Sequence, residues 1–348
     1  MNPVKSLTIT ILSVFLVSCN GDNSKKPSGF SIQIMDAKKD FFVDDTINIQ
    51  IKTPESFVVD SIVYSINNKK TPKLNKNTIV LKDVKLGTQN IEATVHHNGK
   101  TDLLTKKITI LSNIKPELYT YEIIKEYPHD IKAYTQGLEF YNDTLYESTG
   151  KYGKSSLRKV NYTTGAVVER IDLDNNYFGE GITILNNKII QLTWQKRIGF
   201  VYNLNSFKKT GSFMYKNSKE GWGLCNDGDV IYKSDGTEKI WLLDPETYAE
   251  KDFFQIVSNK KIYNKVNEME YVDGSIYANS YQNDGIMIID ANNGALLGVV
   301  DCRGLKKKVT QHSELDVLNG IAYHPIRKTF FLTGKNWDKM FEVRFIEK

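Results

Sequence analysis

The chain has 348 residues, 46 lysines and arginines against 41 aspartates and glutamates, a net charge of +5 at pH 7 and 40% apolar residues. That length provides for more than one domain with well-buried cores. The basic and acidic residues are mixed along it and form no stripe, which argues against a nucleic-acid partner.

Met1–Ser18 carries a single lysine, an apolar run Leu7–Val17 and a small residue before Cys19. That is the form of a secretory signal, too short to span a bilayer comfortably. Leu16-Val17-Ser18-Cys19 resembles the bacterial lipoprotein cleavage box. It makes Cys19 the expected lipidated first residue of an exported lipoprotein of the bacterial cell envelope. The alternative is a simple cleaved signal with an incidental cysteine. Each buried acyl methylene adds roughly 0.8 kcal/mol of membrane affinity, so a multiply acylated Cys19 would be a firm anchor. Residues 20–29 read as a polar tether.

Residues 30–112 alternate apolar and polar at Phe30–Met35, Thr46–Lys52, Val58–Ile66, Thr78–Leu81, Asn90–His96 and Asp102–Leu111, with no helical stretch. Short strands over such a length predict a small immunoglobulin-like β-sandwich, here a spacer between membrane and main domain. His96 and His97 would face opposite sides of one strand, a poor geometry for a shared metal, and are expected at the surface. Residues 113–118, with Pro116, are the expected linker.

From 119 to 348 the chain repeats itself. Units open at Gln136-Gly137-Leu138, Glu180-Gly181-Ile182, Trp222-Gly223-Leu224, Asn267-Glu268-Met269 and Asn319-Gly320-Ile321, in steps of 44, 42, 45 and 52 residues. Each opening leads into a strand, a turn and a second strand, and the first four units continue into a third and fourth. Four short strands in every such period are one blade of a β-propeller. A solenoid is the competing arrangement, but solenoids are open at both ends. Here the last unit is one strand short, and Tyr119–Glu126, ahead of the first, can supply it and leave no open edge. The expected fold is all-β: a five-bladed β-propeller behind the small sandwich.

Closing the ring places Gln136, Glu180, Trp222, Asn267 and Asn319 on one circle at one mouth of the channel. Fourteen residues on from four of them stand Gly150, Trp194, Tyr281 and Thr333, with Lys335 two beyond. In an antiparallel hairpin these return to the same end. The stretch Tyr177–Trp194 shows it best: Glu180 and Trp194 flank its strands, with Phe178 close by. One face then carries a single carboxylate, a lysine, the amides of the circle and an aromatic collar. A charged group beside apolar rings has a perturbed pKa and is a candidate for proton transfer. Any one tryptophan is explained as well by packing between blades; the cluster is what points to chemistry. No cluster has metal-ligand spacing, and no phosphate loop or nucleophile elbow occurs. His129, His312 and His324 lie out of phase with the ring, which leaves Ser-His-Asp hydrolysis little support. Cys225 and Cys302 fall on different blades and read as buried thiols.

The motifs Thr135-Gln136-Gly137, Tyr146–Gly153, Phe178–Gly181, Gln191–Trp194, Glu220–Leu224, Ser234–Thr237, Asn267-Glu268, Leu318–Ile321 and Thr333–Lys335, in this order, resemble the plant-type glutaminyl-peptide cyclotransferases. The resemblance covers 120–345 and not the N-terminal domain. It implies a monomeric five-bladed propeller that converts an N-terminal glutamine of peptides or proteins to pyroglutamate and releases ammonia. No catalytic metal is implied, while a structural calcium ion in the channel is allowed for. It makes Glu180 the general acid/base, Gln136, Trp194, Trp222, Asn267 and Lys335 the pocket, and Phe178 and Tyr134 its apolar wall. Tyr281 stands where plant enzymes have Trp and Tyr134 where Phe is usual, which bears on substrate preference. Two other classes stay open. One is a non-catalytic propeller binding peptides or glycans at the same mouth; the other is a propeller hydrolase, which would want a channel metal held by several acids.

Overall fold

A computed structural model describes residues 29–348 apart from positions 56, 68, 71, 72 and 76. The expected signal segment, the lipidated Cys19 and nearly all of the tether therefore lie outside the described residues. Those described form β-strands throughout, with one short 3-10 turn at Leu305–Lys308.

Two sheets make the N-terminal unit. One orders Ser31–Ile34, Thr46–Lys52, Thr78–Val80 and Lys73–Asn75; the other orders Asp40–Phe42, Lys100–Leu111, Gly87–His97, Val59–Ile66 and Lys69–Lys70. Period-two alternation decides their inner faces. Along Gly87–His97, residues Ile91, Ala93 and Val95 are buried, and Ile91 and Ala93 share one core with Ile47, Ile49 and Ile79 of the other sheet. His97 continues that inward row, so it is not at the surface as its polarity suggested. It is 3% exposed, bonds Asp102 at 2.7 Å and packs between the rings of Phe30 and Phe57. His96 faces the other way and bonds Thr101.

The unit does not stand off from the rest of the chain. Its core continues into Val257 and Ala295, the Gln255 side chain accepts the Thr88 N–H, and Lys85 pairs with Asp252. The expected linker is also shorter than read. Glu117 and Leu118 already belong to the strand Glu117–Pro128, because Glu117–Tyr119 pair in parallel with Gly298–Val300.

Beyond it come antiparallel sets of strands that begin at Thr135–Tyr141, Gly179–Leu185, Leu224–Asn226, Val266–Val272 and Leu318–His324, the last two sets joined into one eight-stranded sheet by the parallel pairing of Glu117–Tyr119 with Gly298–Val300. These first strands touch in a closed cycle, with Thr135–Tyr141 against both Gly179–Leu185 and Leu318–His324. The strand ahead of the first sheet completes the last one: Glu117–Pro128 pairs antiparallel with Lys339–Glu347, Tyr119 opposite Glu347 and Pro128 opposite Lys339. Cys225 and Cys302 are buried free thiols.

The glycine that follows four of the five ring positions, Gln136, Glu180, Trp222 and Asn319, has a steric cause. A Cβ on Gly181 would lie 2.6 Å from the Trp222 carbonyl oxygen, and one on Gly223 would lie 2.0 Å from that of Asn267. Neighbouring first strands approach too closely for any side chain there. Gly223→Ala is therefore expected to lower stability by about 1–3 kcal/mol, the range for overpacking, read as a reduced thermal midpoint. An unchanged midpoint would refute the close approach.

Glu268 takes the place that glycine holds in the other units, and its two oxygens accept the N–H groups of Leu138 and Ile321 at 3.1 and 2.7 Å. Glu139 and Glu270 line the same channel and accept the N–H groups of Ile184 and Tyr323. Burial pushes Glu139 up to about 8, and Glu268 and Glu270 well above the usual carboxylate range. These carboxylates are directed at backbone donors, and among the described residues no three acidic, His or Cys side chains form a metal-holding group.

Candidate active site

The ring residues owe their aim to bulges. Register slips between Thr135 and Gly137, Gly179 and Ile182, Val266 and Met269, and Leu318 and Ile321. Gln136, Glu180, Asn267 and Asn319 sit in those slips. A β-bulge frees its residue from strict alternation and re-aims the side chain, so each points toward the mouth. Glu180 is thus inside its strand, Gly179–Leu185, rather than just ahead of it.

The hairpin argument holds at the backbone. The N–H of Gly150, Trp194, Tyr281 and Lys335 donates to the carbonyl of Tyr134, Phe178, Lys265 and Val317 respectively. In the last sheet the equivalent of Trp194 is therefore Lys335 and not Thr333. The reason is the turn: His324 pairs with Thr329, whereas Tyr141 pairs with Thr144, so the last hairpin is longer by two residues. Thr333 is buried one step back and donates to the Lys339 carbonyl.

At the centre is a relay of amides. Asn319 Nδ2 donates to Gln136 Oε1 at 3.1 Å, and Gln136 Nε2 donates to Glu180 Oε1 at 2.8 Å. Glu180 is 4% exposed, and its second oxygen has no partner; nor do the side-chain oxygens of Asn267 and Asn319. Buried polar atoms left without partners are costly and rare. These are acceptors, and they suit a ligand rich in N–H groups.

Around them the aromatic rings close a circuit. Tyr134, Phe178 and Trp194 meet edge to face at 6.1 and 5.5 Å, and Trp222 meets Tyr281 at 5.5 Å. Two charged side chains bridge the gaps. Glu220 Oε2 accepts both indole N–H groups, from Trp194 at 2.8 Å and Trp222 at 2.9 Å. Lys335 Nζ lies over the rings of Tyr134 and Tyr281 at 4.9 and 5.2 Å. Asp316 steadies the Tyr134 hydroxyl at 2.8 Å. Of the expected residues, Gln136, Glu180 and Asn319 are joined by the amide relay, and Tyr134, Phe178, Trp194, Trp222, Tyr281 and Lys335 by the contacts of the collar.

Burial pushes the Glu180 carboxyl well above its ordinary value; the Lys335 ammonium pulls it down and Glu220 adds to the rise. Burial likewise lowers Lys335, against the attraction of Glu180 and Asp316. Desolvation outweighs the mutual attraction for both, so the charged form of each group is less favoured here than in water. His129, His312 and His324 are bonded elsewhere, to Glu147, the Asn336 carbonyl and Asp143.

Sequence reasoning gave this rim a single acid and missed Glu220. The signal was there. Two half-buried indoles each need an acceptor for N–H, and Glu220 stands two residues before Trp222.

A family model described as glutamine cyclotransferase matches residues 97–345. The glutaminyl-peptide cyclotransferase of Arabidopsis thaliana is 40% identical over 226 residues, 64% of this chain and 70% of that protein. The crystal structure of Myxococcus xanthus glutaminyl cyclase superposes with a TM-score of 0.63 and 32% identity, over 67% of this chain and all of that one. From the match over most of its length and the identity to these relatives, this chain belongs to the glutamine cyclotransferase family.

Proposed function

We propose that this enzyme is a glutaminyl-peptide cyclotransferase that closes the N-terminal glutamine of peptides or proteins to pyroglutamate and releases ammonia, with Glu180 as general acid/base. The observation that carries the mechanism is the buried, unpaired Glu180 oxygen, in a ring of residues where the side-chain oxygens of Asn267 and Asn319 are unpaired too. An N-terminal glutamine brings N–H groups at both reacting ends, the α-amine and the carboxamide, which is what these acceptors lack.

In the reaction the α-amine nitrogen bonds to the γ-carboxamide carbon, and that carbon's bond to its own nitrogen breaks. Ionised Glu180 takes one proton from the attacking amine and returns it to the departing nitrogen, which leaves as ammonia. A free α-amine has a pKa of about 7.7–8.0, so part of it is neutral near pH 7–8. A carboxyl raised above its ordinary value is a readier proton acceptor, and in its acid form still a donor. The collar holds the compact conformer in which the amine faces the carboxamide. The Lys335 ammonium and the Asn267 amide stabilise charge on the carbonyl oxygen. Each duty has a side chain, so we propose a metal-independent reaction. The supporting architecture is a five-bladed propeller, given the closed cycle of first strands, behind an immunoglobulin-like sandwich formed by residues 30–112. From the first residues of the sequence we propose export and anchoring through lipidated Cys19.

The test is ammonia release from a glutamine-initiated peptide, with and without a chelator. Release that survives chelation is expected; absence of release would leave only a binding module, and its loss on chelation would remove the metal-independent mechanism.

Glu220 is proposed to hold the collar. Glu220→Ala leaves two indole N–H groups without an acceptor, and kcat/KM is expected to fall roughly tenfold or more, from the about 1–3 kcal/mol cost of an unsatisfied donor. Glu220→Gln keeps an acceptor oxygen and removes the charge that raises Glu180. It is expected to recover most of that loss, with the acidic limb of the rate profile at lower pH. An unmoved limb would show that Glu220 acts through packing alone.

A further inference from the structure

Behind the collar, on the side of the third sheet, lies a recess of about 480 Å³ lined by Glu220, Trp222, Asp235, Thr237, Glu238 and Trp241 among others. We propose that it is a subsite for the residue following the N-terminal glutamine, and that it prefers a cationic side chain there. This rests on the cyclotransferase function proposed above.

Glu220 and Trp222 belong both to the recess and to the collar, so a peptide whose first residue lies under the indoles needs to cross only Trp222 to enter it. An extended chain advances about 3.3–3.6 Å per residue, and a volume of this size is ordinary for a ligand-binding recess. Its floor is built for close approach. Gly236 has φ +78°, and a Cβ there would lie 2.5 Å from the Trp222 ring, so the turn presents bare backbone against the indole.

The polar groups set the preference. Asp235 is committed to Trp241 Nε1 at 2.7 Å and to Thr237. Glu220 uses Oε2 for the indoles, while its other oxygen has only a 3.4 Å contact from Gln195. Glu238 gives one oxygen to Gln255 Nε2 at 3.0 Å; the other is left for a ligand. Lys239, itself part of the lining, is drawn over the rings of Trp241 and Phe253, at 5.1 and 4.3 Å. Lys219 remains exposed at the edge. The open carboxylate oxygens of the lining thus belong to Glu220 and Glu238, and Trp222, unlike Trp241, has no cation over its ring among the described residues, so its face is open to one.

The experiment compares kcat/KM for Gln-Arg, Gln-Ala and Gln-Glu peptides and for glutaminyl amide, in the wild-type protein, Glu238→Gln and Glu238→Lys. The wild type is expected to favour Gln-Arg over Gln-Glu by roughly two- to fivefold, the scale of a solvent-exposed charge pair. The margin should shrink at high salt. Glu238→Gln should narrow the order and Glu238→Lys should reverse it, with glutaminyl amide turned over equally by all three. The subsite is overturned if the wild type shows no order among the peptides, or if the order survives in Glu238→Lys. Failure of the wild type to turn over glutaminyl amide would overturn the cyclotransferase function instead, and the subsite with it.

Discussion

Glu180→Gln is expected to lower kcat for a glutamine-initiated peptide by roughly 10²–10⁴-fold, the contribution of a positioned proton donor and acceptor. The amide fits the same space and can still meet Gln136, whose Nε2 now bonds Glu180 Oε1, so binding should change little and the loss should fall on kcat. Stability supplies an independent check. The folded-state pKa of Glu180 is raised, so between the ordinary carboxyl value and the raised one the folded state binds more protons than the unfolded chain. Stability then falls as pH rises through that window. A neutral amide removes this dependence, and Glu180→Gln is expected to be at least as stable as the parent at neutral pH. Thermal unfolding checks this. Full activity in a folded Glu180→Gln protein would sink the proposed mechanism.

Lys335→Met carries the second large effect, a loss of roughly 10²–10³-fold in kcat if its ammonium stabilises the oxyanion as a single strong donor does. Its direction in pH is set by sign. Lys335 lowers the Glu180 pKa and Glu220 raises it, so removing the lysine should move the acidic limb to higher pH, opposite to Glu220→Gln. Lys335 itself is depressed by burial, and the alkaline limb that its deprotonation creates should flatten in the variant. Methionine keeps the apolar stem against Tyr134 and Tyr281 while deleting the charge. A limb that stays in place would mean that Lys335 and Glu180 do not share a field.

The opposed shifts follow from one piece of architecture. Glu220 and Lys335 stand at the two gaps of the aromatic circuit and bridge rings that do not touch. Each therefore has a structural duty and an electrostatic one, which is why the pH profile and the KM-against-kcat split must be read together. Glu180, between them, owes its state to desolvation first and to the balance of these two charges second.

Much of this was legible from the residues. The repeat of openings, the hairpin that returns Trp194 beside Phe178, and the early strand that completes the last sheet follow from period-two patterning and turn chemistry, both local rules. Less local features were misread for identifiable reasons. His97 looks polar, but its place in the row of Ile91, Ala93 and Val95 sends it inward. Thr333 has the right spacing only if every hairpin turn has one length, and the last turn is longer.

By itself, then, the sequence determined the strands, their order and the family of side chains at the mouth, because alternation and tight turns act between neighbours in the chain. Only the tertiary structure decided that Glu220 would take both indoles, that Lys335 would span two tyrosines, and that Glu180 would keep one oxygen unpaired. Those outcomes depend on bulges that re-aim side chains and on how closely separate sheets approach, distances that spacing along one strand does not specify.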